Sequence, residues 1–249
     1  MEMTVIVPTL DEAENILPLV EQIEQTGLPF REIIFVDDGS SDGTREIVRG
    51  VSQCHSVRLL AREGGERGLA GAIIAGANVS AADAFIVMDA DLSHPPEKMS
   101  ELIAPILRDE ADLVIGSRYI TGGATPDWPM WRRAMSRVAS FLAFPLTGVH
   151  DSMCGFFAVR REYLLGFATN ATGFKIAFEM LVRGRKKLRV REVPIIFRDR
   201  QRGKSKMSTG EAIRFAREWM RAVARRLFQR SAATGTALTP RQSSIVTPK

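Results

Sequence analysis

The sequence predicts an α/β fold, a mostly parallel sheet flanked by helices, on three observations. Short β-branched runs alternate with segments of helical spacing, the pattern of strands joined by crossover helices. Carboxylates collect where those runs end, which is the edge where open parallel sheets bind ligands. A chain of 249 residues, 45% hydrophobic and 25% charged, is also long enough to bury one sizeable core or two small ones.

The elements follow in order. "TVIVP" (4–8) is the first strand, and 12–25 has the spacing of a helix. "EIIFVDD" (32–38) is the second strand, followed by a helix over 43–51. There Ser41 or Asp42 serves as cap, and Gly39 and Gly43 permit the turn. "VRLLA" (57–61) precedes a glycine-rich loop and a helix over 68–79. "AFIVMDAD" (84–91), a helix over 96–107 and "DLVIGS" (112–117) complete the alternation. "GGATPDWPMW" (122–131), rich in Gly and Pro, reads as a mobile lid. His94, ahead of two prolines, reads as a turn residue. Cys54 and Cys154 lack metal-type spacing and read as free thiols of a reducing compartment. The longest apolar stretch, 138–149, falls short of the roughly 20 residues needed to span a bilayer. The expected location is cytoplasmic, at most peripheral on the cytoplasmic face of a membrane.

Charge is unevenly placed. Residues 198–230 hold eleven Arg and Lys against three acids, a net of +8, so the rest of the chain carries −3 of its +5. Within 208–230, Ile213, Ala216, Trp219, Met220, Val223 and Leu227 share one helical face. Arg214, Arg217, Arg221 and Arg225 form a stripe opposite. Such a helix either lies on an anionic membrane surface or docks its apolar face on the preceding domain. Residues 231–249 lack periodicity and are expected to be a disordered tail. The division is therefore a catalytic domain over 1–207, the basic amphipathic helix 208–230 and the tail.

Three acid clusters stand at strand ends: Asp11 with Glu12, Asp37 with Asp38, and Asp89 with Asp91. One such pair is commonly a helix cap, but three along one sheet edge exceed what capping requires. Asp37 has no local role in the sequence and is expected to face a nucleobase or ribose. Asp89 and Asp91, one residue apart on an extended chain, repel each other unless a cation sits between them. Oxygen donors suit Mg²⁺ or Mn²⁺, which in turn binds a diphosphate.

The motifs "PTLDE", "VDDGSSDGT", "DADLSHPPE", "GSRY", "GFKIAFEMLVRG" and "FRDRQRGKSK", in that order over residues 3–207, resemble the dolichol- or polyprenol-phosphate mannosyltransferases. These are family 2 glycosyltransferases of the GT-A (nucleotide-diphospho-sugar transferase) fold. The resemblance implies that Pro8, Leu10, Glu12 and Asp37 bind the nucleotide. It implies that Asp89, Ala90 and Asp91 form the metal and diphosphate site, with Ser93 beside them as a further metal ligand. Arg118, Arg200 and Lys206 take diphosphate- and sugar-side positions, and Arg132 faces the acceptor phosphate. Asp91, Arg132, Arg200 and Lys206 are then the catalytic residues. The implied reaction is metal-dependent and inverting, from GDP-mannose to a polyprenyl phosphate. The implied setting is an anionic membrane surface, with a separate membrane subunit left open and no nucleic acid involved.

Elementary chemistry agrees. A polyprenyl phosphate is already an anion, so this nucleophile needs no general base. The site needs positive charge to hold two phosphates near each other. A hydroxyl acceptor would need a base, for which Asp151 is the candidate. Two alternatives stand beside this reading: another donor, such as UDP-glucose, on the same lipid phosphate, and a nucleic-acid-binding protein using the basic C-terminal end. The acidic crevice argues against the latter.

Overall fold

The computed structural model describes residues 1–63, 68–168, 176–184 and 187–199. The basic helix and tail expected over 208–249, together with Arg200 and Lys206, lie outside the described residues.

Seven strands form one mixed sheet in the order β3-β2-β1-β4-β6-β5-β7. The central strands β1 (Met3–Thr9), β2 (Glu32–Asp37) and β4 (Ala84–Val87) are buried along almost their whole length. This is why they read as continuous apolar runs rather than alternating ones. β3 (Val57–Ala61) adds to β2 in parallel, and β5 (Leu113–Ser117) is flanked by parallel β7 (Val190–Pro194). β6 (Phe157–Arg160) runs antiparallel to both β4 and β5. Neither β6 nor β7 is legible in the sequence, because a four-residue strand and a partly exposed edge strand give too little periodicity.

Chain order sets the position of the site. From β1 the chain moves outward through α1 (Ala13–Gln25) to β2, then through α2 (Thr44–Val51) to β3. It then returns across the sheet through α3 (Leu69–Val79) to place β4 on the other side of β1. The gap beyond the carboxyl ends of β1 and β4 is thus the topological switch point, where such sheets bind ligands. Register aligns the strand ends: Thr9 lies opposite Asp37, and Asp37 opposite Ala61.

The helix expected over 96–107 starts as a short 3-10 turn, Pro96–Lys98, and continues as α4 (Met99–Leu107). α5 (Met130–Thr147), α6 (Arg161–Ala168) and α7 (Ile176–Gly184) complete the described helices. α5 and α7 meet through a small separate cluster of Ala143, Leu146, Met153 and Phe178. No described helix is long and apolar enough to cross a membrane. The stretch 122–131 is tied down rather than free. Ala124 bridges Ile196, Ala124 N–H donates to Ile195 O at 3.0 Å, and Trp128 is buried.

α3 owes its close seat on the sheet to Gly76. A Cβ there would meet Ile6 Cγ2 at 2.9 Å and Val36 Cγ2 at 3.1 Å, both on fully buried side chains. A methyl group on Gly50 in α2 would meet nothing within 4 Å. Alanine is intrinsically better than glycine in a helix by about 1 kcal/mol. Gly50→Ala is therefore expected to stabilise by roughly 0.5–1 kcal/mol, whereas Gly76→Ala is expected to destabilise, both read from urea midpoints.

Candidate active site

The first wall of the crevice is a pair of interlocked loops after β1 and β2. Asp11 adopts a left-handed φ of 47°, uncommon for a residue with a Cβ. Its N–H donates to Ser40 Oγ at 2.8 Å, and its Oδ1 accepts from Ser41 N–H at 2.8 Å. Asp42 accepts from Ala13 N–H and from Thr44 N–H, both at 3.0 Å, so one carboxylate caps the starts of α1 and α2 together. Glu12 is buried, donates its N–H to Thr44 Oγ1 at 2.9 Å and accepts from Asn15 Nδ2 at 2.7 Å. Pro8 and Leu10 lie on this same wall, with Leu10 exposed.

Asp37 corrects one expectation. Its Oδ1 has a full local role, accepting from Gly39 N–H at 3.0 Å, from Ser40 N–H at 3.2 Å and from Arg45 Nε. Burial works to raise this carboxyl, and the Ser40, Arg45 and Gly39 hydrogen bonds outweigh it, holding it below the ordinary carboxylate range. Its Oδ2 is buried with no partner among the described residues, and such an atom calls for an explanation. A ligand donor at the crevice would satisfy it. Asp38 is spent structurally, accepting from Arg62 Nη1 at 2.6 Å and Gly68 N–H at 2.8 Å.

The second wall follows β4. The strand ends at Val87, short of the expected 91, and the chain bends through Asp89, Ala90, Asp91 and Leu92. Leu92 has a φ of 62°. The bend is held locally: Asp91 Oδ1 accepts from Ser93 N–H at 3.1 Å and from Ser93 Oγ at 2.5 Å. Ser93, buried, thus orients Asp91, and Ala90 is buried between the two acids. Asp89 keeps 39% of its side chain exposed, and its carboxylate accepts no hydrogen bond among the described residues.

His94 is more than the turn residue expected. It is 1% exposed, accepts the Asp89 N–H on Nδ1 at 3.0 Å, and places Nε2 3.8 Å from Asp89 Oδ2. Its ring stacks on Phe156 at 5.2 Å and meets the edge of Phe197 at 5.4 Å. Phe197 in turn meets Trp128 at 5.4 Å. An aromatic row therefore connects the carboxylates to a cationic wall. No motif announces this row, because its members lie on four separate segments.

Arg118 and Arg132 make that wall. Arg132 Cζ lies 4.1 Å above the Trp128 ring, and its Nη1 donates to Asp199 Oδ1 at 2.8 Å. Arg118 is buried against Tyr119, Trp128 and Phe197 at 5.2–5.5 Å. It grips Asp151 with Nε to Oδ2 at 2.7 Å and Nη2 to Oδ1 at 2.8 Å. Burial works to lower the Arg118 pKa, and Asp151 beside it more than reverses this, so the guanidinium stays charged. Cys154, on the same floor, is pushed up to about 12 by burial, while Cys54 is exposed; both thiols are free. The described residues end at Asp199, next to Arg132, with Arg200 and Lys206 beyond.

The structure therefore brings Pro8, Leu10, Glu12 and Asp37 to one side of the switch point and Asp89, Ala90, Asp91 and Ser93 to the other. Arg118 and Arg132 join them through the aromatic row. The pairing of Asp151 gives a test. Asp151→Asn strands a buried guanidinium and is expected to cost about 3–5 kcal/mol of stability. Denaturant unfolding measures this, and Arg118→Gln added to it should recover part of the loss.

A family model, glycosyl transferase family 2, matches residues 4–166. The dolichol-phosphate mannosyltransferase of Pyrococcus furiosus is 41% identical over 213 residues, covering 83% of this chain. The match spans 59% of that protein, so this chain covers less than two thirds of its length. The dolichol-phosphate mannosyltransferase of Saccharomyces cerevisiae is 38% identical over 231 residues, covering 88% of this chain and 85% of that protein. The polyprenol monophosphomannose synthase of Mycolicibacterium smegmatis is 37% identical, covering 85% and 83%. Among solved structures, glucosyl-3-phosphoglycerate synthase from Mycobacterium tuberculosis, in complex with Mn²⁺, UDP and glucosyl-3-phosphoglycerate, superimposes with a TM-score of 0.68. Its identity is 19%, over 90% of this chain and 79% of that one, a likeness of fold. With its acidic switch point, its mixed sheet and a family match over most of the described residues, the chain belongs to glycosyl transferase family 2 and is a glycosyltransferase of GT-A fold.

Proposed function

We propose that the chain transfers mannose from GDP-mannose to a polyprenyl phosphate, with inversion at the anomeric carbon and with Mg²⁺ or Mn²⁺ as cofactor. The observation that carries the acceptor is the state of Asp151. A hydroxyl acceptor requires a base, and Asp151, the candidate for that role, is fully buried in a two-point ion pair with Arg118. A phosphate acceptor is already anionic and needs none. The names of the three relatives above, matched over 83–88% of this chain, support the same acceptor class and the sugar.

The residues fit a divalent cation. Asp89 presents an exposed carboxylate, and Asp91 is oriented by Ser93. Hard oxygen donors of this kind suit Mg²⁺ or Mn²⁺. No three His, Cys, Asp or Glu gather around one metal position among the described residues. The other ligands would therefore come from the diphosphate and water, the usual situation for Mg²⁺. When bound, the ion would neutralise the departing diphosphate as a Lewis acid.

The protein's own groups do the rest. Asp37 Oδ2, with Glu12, Pro8 and Leu10, holds the nucleoside end of the donor. Arg132, on its Trp128 platform, holds the acceptor phosphate, and Arg118, its charge balanced by Asp151, braces the wall beneath it. Arg200 and Lys206 stabilise the departing diphosphate from the segment that follows Asp199. Preorganised charge of this kind is typically the largest catalytic contribution. The acceptor's chain requires work at a membrane surface, which the basic segment 208–230 suits.

Incubation with radiolabelled GDP-mannose or UDP-glucose and a polyprenyl phosphate tests the donor and acceptor together. Label should pass from GDP-mannose to an organic-soluble product. Transfer from UDP-glucose alone would replace the donor. Asp91→Ala is expected to abolish transfer while the chain still folds, with a stability loss of about 1–3 kcal/mol from the stranded Ser93 donors. Chelation of the wild type should match it, with recovery on adding Mg²⁺ or Mn²⁺; full activity in chelator removes the metal. Arg132→Ala is expected to raise KM for polyprenyl phosphate by about tenfold or more, the scale of one charge-assisted contact. Calorimetric binding of GDP-mannose should be unchanged, and equal losses in both would place Arg132 elsewhere.

A further inference from the structure

The bend after β4 sets an imidazole ring against a carboxylate that the cation would meet. "SHPP" (93–96) builds the approach. A proline restricts the residue before it to extended backbone, so His94 enters the interior on a stiff segment. Arg198 N–H donates to Ser93 O at 3.2 Å, which brings Phe197 to the ring, and Phe156 stacks on its face. With 1% of the residue exposed, the ring has little freedom left.

Both nitrogens bear on Asp89. Nδ1 accepts the Asp89 N–H at 3.0 Å, so the ring proton belongs on Nε2. Nε2 stands 3.8 Å from Asp89 Oδ2. That is outside a direct hydrogen bond, but the terminal torsion of an aspartate is soft and a modest turn closes the gap. Gly155 packs on the same pair: a Cβ there would lie 3.4 Å from both Asp89 carboxylate oxygens and from His94 Cε1. Packing between Phe156 and Phe197 would be met equally by phenylalanine. His94 instead directs two polar atoms at one residue, holding its main chain and facing its side chain.

We propose that His94 is a positioning residue for the cation site: Nδ1 fixes the main chain of Asp89, and Nε2–H engages Oδ2, leaving Oδ1 to meet Mg²⁺ or Mn²⁺. The role rests on the cation proposed above. Asp89 keeps 39% of its side chain exposed, and His94 gives it a means of presenting one oxygen. Asp91 is turned by Ser93 instead. The two ligands are thus oriented from one turn, by neighbouring residues.

Titration of Mn²⁺ into the full chain with GDP present, followed by the electron paramagnetic resonance of free Mn²⁺, tests this without turnover. His94→Phe keeps the ring packing and removes both nitrogens. It should weaken Mn²⁺ binding by about tenfold or more, the scale expected when an outer partner of a metal ligand is lost. His94→Asn restores an acceptor at the Nδ1 position and should recover part of that loss. A folded His94→Phe with wild-type affinity overturns the proposal. If that variant does not fold, His94→Asn decides, since it still lacks Nε2, and wild-type affinity there overturns the proposal equally.

Turnover separates positioning from a distorted fold. Excess Mn²⁺ should bring the His94→Phe rate back toward wild type, with KM for polyprenyl phosphate unchanged. A loss that no Mn²⁺ concentration recovers marks a structural defect and overturns the role. The cation itself is judged on wild type and Asp91→Ala. If wild type with GDP binds no Mn²⁺, the cofactor falls and the role of His94 falls with it. If wild type binds, Asp91→Ala does not, and the His94 variants match wild type, the cation stands and the positioning role alone falls.

Discussion

Everything at the carboxyl edge of this sheet depends on one electrostatic constraint: carboxylates crowd where β1, β2 and β4 end side by side. Like charges at such spacing oppose folding unless each finds donors. Asp42 takes the free N–H groups of two helix starts, and Asp38 takes Arg62 and the N–H of Gly68. Asp37 takes Arg45 and two backbone N–H groups, and Asp91 takes Ser93. These bonds explain the left-handed Asp11 and Leu92, since each loop must bend sharply to deliver its donors. Among the described residues two acceptors remain outside the pattern, Asp37 Oδ2 and the Asp89 carboxylate. They sit on opposite sides of the switch point.

The opposite side of the site answers with positive charge held in place by rings. An exposed arginine wanders, but one laid on Trp128 and paired with Asp199 has few conformations left. Cation–π contact and ion pairing act together there. Arg118 goes further. Its buried charge is tolerable because Asp151 receives it at two points, and removing either partner would strand the other. The structural pair also has a chemical consequence, since it withdraws from the site the carboxylate suited to deprotonating a hydroxyl. The same bond thus fixes the wall and narrows the acceptor class.

α5 joins these two levels of organisation. Its first turn carries Arg132 into the site, its inner face packs on α7 through Ala143, Leu146 and Phe178, and its outer face stays apolar and exposed. A helix with two apolar faces is unusual for a helix with solvent on one side. The aromatic row of Phe156, His94, Phe197 and Trp128 ties this helix to the bend that carries Asp89. Asp89 and Arg132 are thereby held by one packed unit.

What the sequence determined by itself is what is local or periodic. Four of the five β-branched runs became β1, β2, β3 and β5 nearly within their expected limits, while β4 ended four residues early. β1, β2, β4 and β5 read so clearly because strands buried on both faces must be apolar throughout. The acids at their ends were legible because they break that pattern abruptly. The resemblance to the polyprenyl-phosphate mannosyltransferases rested on contiguous motifs, and the family match agrees with it. What only the tertiary structure decided is what joins distant segments. Asp37 looked uncommitted until the loop over 38–45 folded back on it, and the extended pair of Asp89 and Asp91 became a bend once Ser93 turned inward. The lid-like stretch 122–131 was tied down by Ile195 and Ile196, some 70 positions further on. His94 became the support of Asp89 only where Phe156 and Phe197 enclosed it. Such contacts leave no periodic trace, since each partner satisfies only its own local geometry and the pairing energy appears when the sheet brings them together.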